Sequence, residues 1–155
     1  MSAKKHILIY TDGACQGNPG PGGWAALLKW QHHQKEISGG EKETTNNRME
    51  MKAAIEALKT LKEPCQIDIY TDSQYLKKGI TEWIEGWQAR GWKNAAKKAV
   101  KNQDLWEELS LLVKGHTIQW HWVKGHAGHP ENEHVDVLAR QSIPALDMDL
   151  EKSDS

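Results

Sequence analysis

The tetrapeptide Ile-Tyr-Thr-Asp occurs twice, ending at Asp12 and at Asp72, and each copy closes an apolar run. A carboxylate placed where a buried strand leaves its sheet stands at the mouth of a site. Two neighbouring strands ending alike would bring both carboxylates to one end of the sheet, where open α/β folds put their active sites. Two more acidic residues occupy unusual positions. Glu50 shares a helical stripe with Ala54, Ala57 and Leu61, and Asp136 shares one with Ala139 and Ile143. A stripe of that composition faces the core, where a lone charge carries a desolvation cost unless something positive meets it.

Four such anions cannot be gathered without compensation, because two charges about 4 Å apart repel by roughly 4 kcal/mol even at an effective dielectric near 20. Divalent cations resolve the conflict. A donor set of carboxylate oxygens, without thiolates or a histidine cluster, favours magnesium, with manganese as a substitute, over zinc. Two hard ions about 4 Å apart suit phosphodiester hydrolysis, in which attacking and leaving oxygens must both be stabilised. His126, in a glycine-flanked loop before Asp136, is a candidate for proton transfer near neutral pH. No Gly-x-Ser-x-Gly elbow is present, so acyl transfer has no support.

The elements that must position these groups follow from the apolar patterning. Residues 7–10 read as a strand buried on both faces, broken at Asp12-Gly13. The Gly- and Pro-rich residues 15–23 predict a tight exposed connection, followed by strands over 24–30 and 34–40 joined at His32-His33, a three-stranded antiparallel meander. Thr44, Thr45, Asn46 and Asn47 offer N-caps for a helix running to about Leu61. Residues 66–70 form the next strand, reached through that helix and therefore parallel to the first. A short helix from Asp72-Ser73 should stop at Gly79, with a second over 81–88, a third over 104–114, a last strand over 116–123 and a final helix opened by Pro130.

The chain has 155 residues, enough for one domain with a sizeable core. It has no apolar stretch of membrane-spanning length and no signal-peptide pattern, and so reads as a cytoplasmic protein with no membrane role. Cys15 and Cys65 lack metal-ligand spacing and read as free thiols. The net charge of −1 argues against a general nucleic-acid binder, but its distribution does not. Residues 77–101 hold seven Lys or Arg against Glu82 and Glu85, whereas the last residues carry Asp147, Asp149, Glu151 and Asp154 against Lys152. Trp83, Trp87 and Trp92 interleave with that basic run, a pattern suited to a sugar-phosphate backbone, although the i,i+4 spacing of the first two also fits plain helix packing. Trp92 is the one assigned more freely to contact.

The blocks Thr11-Asp12-Gly13, Gly17-Asn18-Pro19-Gly20, Thr44-Thr45-Asn46-Asn47-Arg48-Met49-Glu50, Thr71-Asp72-Ser73-Gln74-Tyr75 and Trp122-Val123-Lys124-Gly125-His126-Ala127-Gly128 stand in that order around the basic Trp segment. In this the chain closely resembles the bacterial type 1 ribonucleases H. The resemblance implies an α/β ribonuclease H-like fold, a five-stranded mixed sheet of order 3-2-1-4-5 with strand 2 antiparallel, flanked by helices. It implies a catalytic domain over 1–145 with a basic protrusion near 81–101, followed by an acidic tail, 146–155, expected to be disordered. It also implies hydrolysis of the RNA strand of an RNA/DNA hybrid by two metal ions, leaving 5'-phosphate and 3'-hydroxyl ends. A monomer without an obligate protein partner is expected, since no sequence feature demands a partner chain.

By the same likeness Asp12, Glu50, Asp72 and Asp136 are the metal ligands, and His126 assists proton transfer or product release. Asn18, Asn46, Asn47 and Gln74 would contact the minor groove, where RNA 2'-hydroxyls suit amide side chains. Thr45 and Asn102 would hold a DNA-strand phosphate, and Trp83, Trp87, Trp92, Lys93, Lys97 and Lys98 belong to the protrusion that grips the DNA. Cys15 and Lys124 complete the candidate contacts. Glu43 departs from the family, standing where relatives can place an arginine, and His121 and Val137 replace residues that are often acidic. Two other readings are a transposase- or integrase-like core, disfavoured by the glycine-rich turn and the basic Trp segment, and a silent hybrid-binding module, disfavoured because all four carboxylates are present.

Overall fold

The structure, a computed structural model, describes residues 4–94, 96–123 and 129–144. Strands β1 (Lys5–Cys15), β2 (Gly20–Trp30) and β3 (His33–Thr44) form the expected meander. Helix α1 (Asn46–Lys59) then crosses the sheet to β4 (Cys65–Thr71), parallel to β1, and β5 (Thr117–Trp122) pairs parallel to β4. The resulting order, β3-β2-β1-β4-β5, is the one the resemblance implies. Between β4 and β5 lie α2 (Gln74–Lys78), a π-helical turn (Gly79–Trp83), α3 (Ile84–Ala89) and α4 (Gln103–Val113), and α5 (Pro130–Gln141) follows β5.

The sheet is sandwiched. Ile7, Ile9, Ile67 and Ile69 meet α1 and α4 on one face, in a core with Met51, Ile55, Leu58, Trp106 and Leu109. Ala25 and Leu27 meet Val135 and Ala139 of α5 on the other. The buried surface of α1 is wider than the single stripe read from the sequence: Met49 and Ala53 pack with Trp24 of β2, and Ile55 joins the main core.

β3 runs on to Thr44, past the 34–40 read from the sequence, and three further differences from that reading bear on the site and its packing. First, β1 does not end at Asp12-Gly13 but runs to Cys15. Its parallel pairing with β4 stops at Tyr10–Tyr70, while antiparallel pairing with β2 continues to Cys15–Gly22. Asp12 therefore sits in a strand still held on one side, next to the point where the other partner ends. Second, half of the glycine-rich connection is strand, since β2 begins at Gly20. Its glycines let other backbone approach: a Cβ on Gly23 would lie 2.2 Å from the Ala139 carbonyl oxygen. Third, Gly79 does not stop the helix. The helical run passes through the π-helical turn because the missing side chain at Gly79 makes room for Trp106, which is fully buried.

That contact is testable. A Cβ at Gly79 would lie 1.9 Å from the Trp106 ring. Gly79→Ala is expected to destabilise the fold by about 1–3 kcal/mol through overpacking, read as a lower urea midpoint. An unchanged midpoint would show that the indole can move aside at no cost.

Candidate active site

Asp12 and Asp72 come together because β1 and β4 are parallel neighbours in register, with each aspartate two residues beyond the last pair, Tyr10–Tyr70. Glu50 reaches them from α1, whose first turn is pressed against β1. Gly13 permits that approach, since a Cβ there would lie 2.5 Å from the Glu50 nitrogen and 2.6 Å from the Met49 carbonyl carbon. The glycine of the Thr-Asp-Gly block is thus required by backbone contact. Helix α1 is anchored at the same place: Thr45 is its N-cap, its hydroxyl accepting from the Arg48 N–H at 3.2 Å, and the Asn18 side-chain oxygen accepts from the Asn46 N–H at 3.1 Å.

One carboxylate oxygen from each of Asp12, Glu50 and Asp72 lies within 4.8 Å of the others. Asp12 and Glu50 are buried, at 3% and 4% exposure. Asp136, on α5, lines the same cavity of about 380 Å³, together with Gly13, Asn46, Asn47, Ser73, Gln74 and Tyr75. It is also ion-paired with Arg140 at 2.8 Å. Burial first, then the neighbouring carboxyls, push the pKa values up. Asp12 rises to about 7, through desolvation opposed by a hydrogen bond with Glu50, and raised further by the charge of Asp72 and a hydrogen bond with Asp136. Glu50 is driven well above its ordinary value by desolvation and then by the charges of Asp12 and Asp72. The cluster therefore retains protons that a cation would displace.

The residues fit a hard divalent ion. All donors are carboxylate oxygens, and Glu50 Oε1 is a buried acceptor without a hydrogen-bond donor among the described residues. Asp12, Glu50 and Asp72 are positioned to coordinate it.

The other sequence candidates are distributed around this centre. Asn46, Asn47 and Gln74 line the cavity, and Asn18 is tied to them through the Asn46 N–H. Thr45 and Asn102 are joined through Arg48, whose backbone N–H bonds Thr45 and whose guanidinium bonds the Asn102 side-chain oxygen at 3.1 Å. The Cys15 thiol is turned toward the carbonyls of Gly20 and Thr44, both at 3.5 Å, and burial raises its pKa. Trp83 is 36% exposed, but Trp87 packs on Trp106 and Trp92 packs against the core, so the indole read as most free for contact is partly sequestered. The reason is local: Trp92 takes a left-handed backbone (φ 66°), which lets its N–H bond the Trp87 carbonyl at 2.6 Å as the chain turns back. Lys93, Lys97 and Lys98 are exposed on a small turn in which the Asn94 side-chain oxygen accepts from the N–H groups of Ala96 and Lys98. Lys124, His126 and the acidic tail lie outside the described residues.

Sequence reasoning left Arg48 and Tyr75 without roles, although both fall inside the quoted blocks. Their neighbours supplied the signal: a guanidinium and a phenol adjoining carboxylate and amide positions in a polar cavity. His121, read as packed or superficial, bonds Asp68 at 2.7 Å and stacks on Tyr70, away from the carboxylates.

A family model described as RNase H matches residues 4–144. The chain is 65% identical over 139 residues to a ribonuclease H of Brucella ovis, covering 90% of each chain. It is 60% identical over 143 residues to a ribonuclease H of Bradyrhizobium diazoefficiens, covering 92% and 93% respectively. Among solved structures, LC9-RNase H1, described as a type 1 RNase H with the type 2 active-site motif, is similar with a TM-score of 0.82 at 33% identity, over 92% of this chain and 74% of that one.

The proton held by Asp12 has a measurable consequence. Its folded pKa, about 7, lies above the ordinary 3.8, so the folded state binds a proton that the unfolded chain has released. Metal-free stability should therefore fall as pH rises from about 4 to about 7. Magnesium at about 100 times its Kd should restore about 2.7 kcal/mol, with the largest gain at the top of that window. Thermal melts across pH, with chelator and with magnesium, check this; a metal-free melting temperature that rises over the window would overturn the assignment.

Proposed function

The chain belongs to the RNase H family, and from that membership we propose how its site residues divide the work. The protein is a metal-dependent endonuclease that hydrolyses the RNA strand of RNA/DNA hybrids by a two-metal mechanism. The observation that carries this reading is the convergence of Asp12, Glu50 and Asp72 within 4.8 Å in a cavity rimmed by amide side chains. Divalent ions held by Asp12, Glu50 and Asp72 would neutralise charge at the scissile phosphate and lower the pKa of an attacking water.

In our reading Asp12, Glu50, Asp72 and Asp136 are the metal ligands, with Asp136 less buried than Asp12 and Glu50 and ion-paired with Arg140. His126 passes the proton to or from the reacting oxygens, and the ends left are 5'-phosphate and 3'-hydroxyl. Asn18, Asn46, Asn47 and Gln74 orient the hybrid. Their amides both donate and accept, as an RNA 2'-hydroxyl requires, and Asn46, Asn47 and Gln74 share the cavity with the carboxylates. Thr45 and Asn102 hold a DNA-strand phosphate. Lys93, Lys97, Lys98 and the exposed Trp83 track the DNA backbone, with Trp87 and Trp92 stiffening that segment from beneath; Cys15 supports the rim, and Lys124 contacts the hybrid. Residues 1–145 form the catalytic domain, acting as a monomer in the cytoplasm. Among the described residues no helix is long and apolar enough to cross a membrane.

Cleavage of an end-labelled RNA/DNA hybrid, beside single-stranded RNA, duplex RNA and duplex DNA, tests the reading. Cutting confined to the RNA of the hybrid and abolished by chelator is expected; cutting of duplex RNA at a comparable rate would overturn it. Asp12→Asn should reduce turnover by about 10³-fold or more while the fold persists, because it removes charge from the centre and not packing. Neutralising Lys97 and Lys98 together should weaken hybrid binding and reduce the slope of log K against log salt by about 1–2. An unchanged slope would move the DNA-gripping surface elsewhere.

A further inference from the structure

Asn102 begins α4 in a left-handed conformation, φ 62°, and its side-chain amide is held from both ends. Its Oδ1 accepts from Arg48 Nη1 at 3.1 Å, and its Nδ2 donates to the Tyr75 hydroxyl at 3.1 Å. Neither contact tolerates a flipped amide. A guanidinium has only donors, so it can face only the oxygen. The Tyr75 hydroxyl already accepts from the Trp106 indole N–H at 3.1 Å and turns its own proton toward the Lys101 carbonyl at 3.4 Å, so toward Asn102 it can only accept. It must therefore face the nitrogen.

Arg48 is itself fixed. Its two terminal nitrogens bond both oxygens of Asp104, at 3.0 and 2.8 Å, a fork-to-fork pair that leaves the guanidinium plane little freedom. The same residue acts on Thr45 through its backbone. The Thr45 hydroxyl oxygen accepts the Arg48 N–H at 3.2 Å, leaving the hydroxyl proton to point away from the helix. Two donors result: the helix backbone bonds the Thr45 oxygen and leaves its O–H to be offered, and the Arg48 side chain fixes Asn102 so that it offers its second amide N–H.

We propose that Arg48, locked by Asp104, is a positioning residue that fixes the Asn102 amide so that its free N–H joins the Thr45 hydroxyl in facing a phosphate oxygen at this rim of the site. This rests on the reading of Thr45 and Asn102 as phosphate contacts. The arrangement also bears on Glu43, which is exposed and adds negative charge near Thr45. With its charge paired to Asp104, Arg48 acts on this rim by orienting a neutral dipole.

Steady-state kinetics on short hybrids bearing a single neutral methylphosphonate, moved along the DNA strand, test the proposal. In the parental protein one DNA position should raise KM about tenfold, with kcat changed by less than about twofold. Arg48→Ala keeps the backbone N–H that bonds Thr45 but frees the Asn102 amide, so it should raise KM about fivefold on unmodified hybrid and lose less than about threefold more at the sensitive position, because the Asn102 half of the contact is already gone. Arg48→Lys, which keeps the charge and loses the fork, should resemble Arg48→Ala, and Asn102→Asp should match both. A full further tenfold loss in Arg48→Ala or Arg48→Lys would overturn the positioning role while leaving the phosphate contact standing. A fall in kcat at unchanged KM would overturn it in favour of an effect on the carboxylates. Insensitivity of the parental protein at every DNA position would overturn the underlying contact and the proposal with it.

Discussion

Mutual repulsion among carboxylates drawn into one poorly solvated corner is the constraint around which this molecule is arranged. Asp12 and Glu50 are nearly inaccessible to water, and Asp72 meets them within 4.8 Å. Burial and like charge both favour the protonated form, which is why Asp12 rises to about 7 and Glu50 is driven well above its usual range. An apolar substitution would relieve the strain at every one of these positions. Their retention makes sense for a protein whose working state includes cations, with binding free energy offsetting the desolvation of the anions.

The surrounding fold holds those anions close. Parallel registration of β1 and β4 places two of them side by side, and the absence of a side chain at Gly13 lets α1 bring the third within reach. Around this centre the polar groups bind one another before they bind anything else. Asn18 bonds the start of α1, Arg48 bonds Asp104 and Asn102, and Tyr75 ties Asn102 to the Trp106 indole in the core. A rim built this way is oriented in advance, so little ordering entropy remains to be lost when a nucleic acid docks.

Charge is segregated by the same economy of space. The acidic centre repels phosphate at the point where cations must intervene, while exposed Lys93, Lys97 and Lys98 gather positive charge on a turn held together by Asn94 and Arg90. A chain of net charge −1 can therefore bind a polyanion, because the field at short range follows the local distribution.

The sequence by itself determined the strand and helix types, the sheet class and all four candidate ligands, read as core-directed or strand-terminal carboxylates, and all four line the assembled cavity. These features depend on periodicities of two and 3.6 residues and on local breaks, which the chain carries in its own order. The extension of β1 past Asp12, the strand character of Gly20–Gly23, the continuation of the helix through Gly79 and the packing of Trp92 were decided only by tertiary structure. Each depends on a partner distant in sequence: β2 for Asp12, α5 for Gly23, the Trp106 ring for Gly79 and the core for Trp92. The orientation of the Asn102 amide belongs to the same group. Donors and acceptors from three separate helices impose it, and no local pattern could encode which way a side chain with two nearly isosteric ends must point.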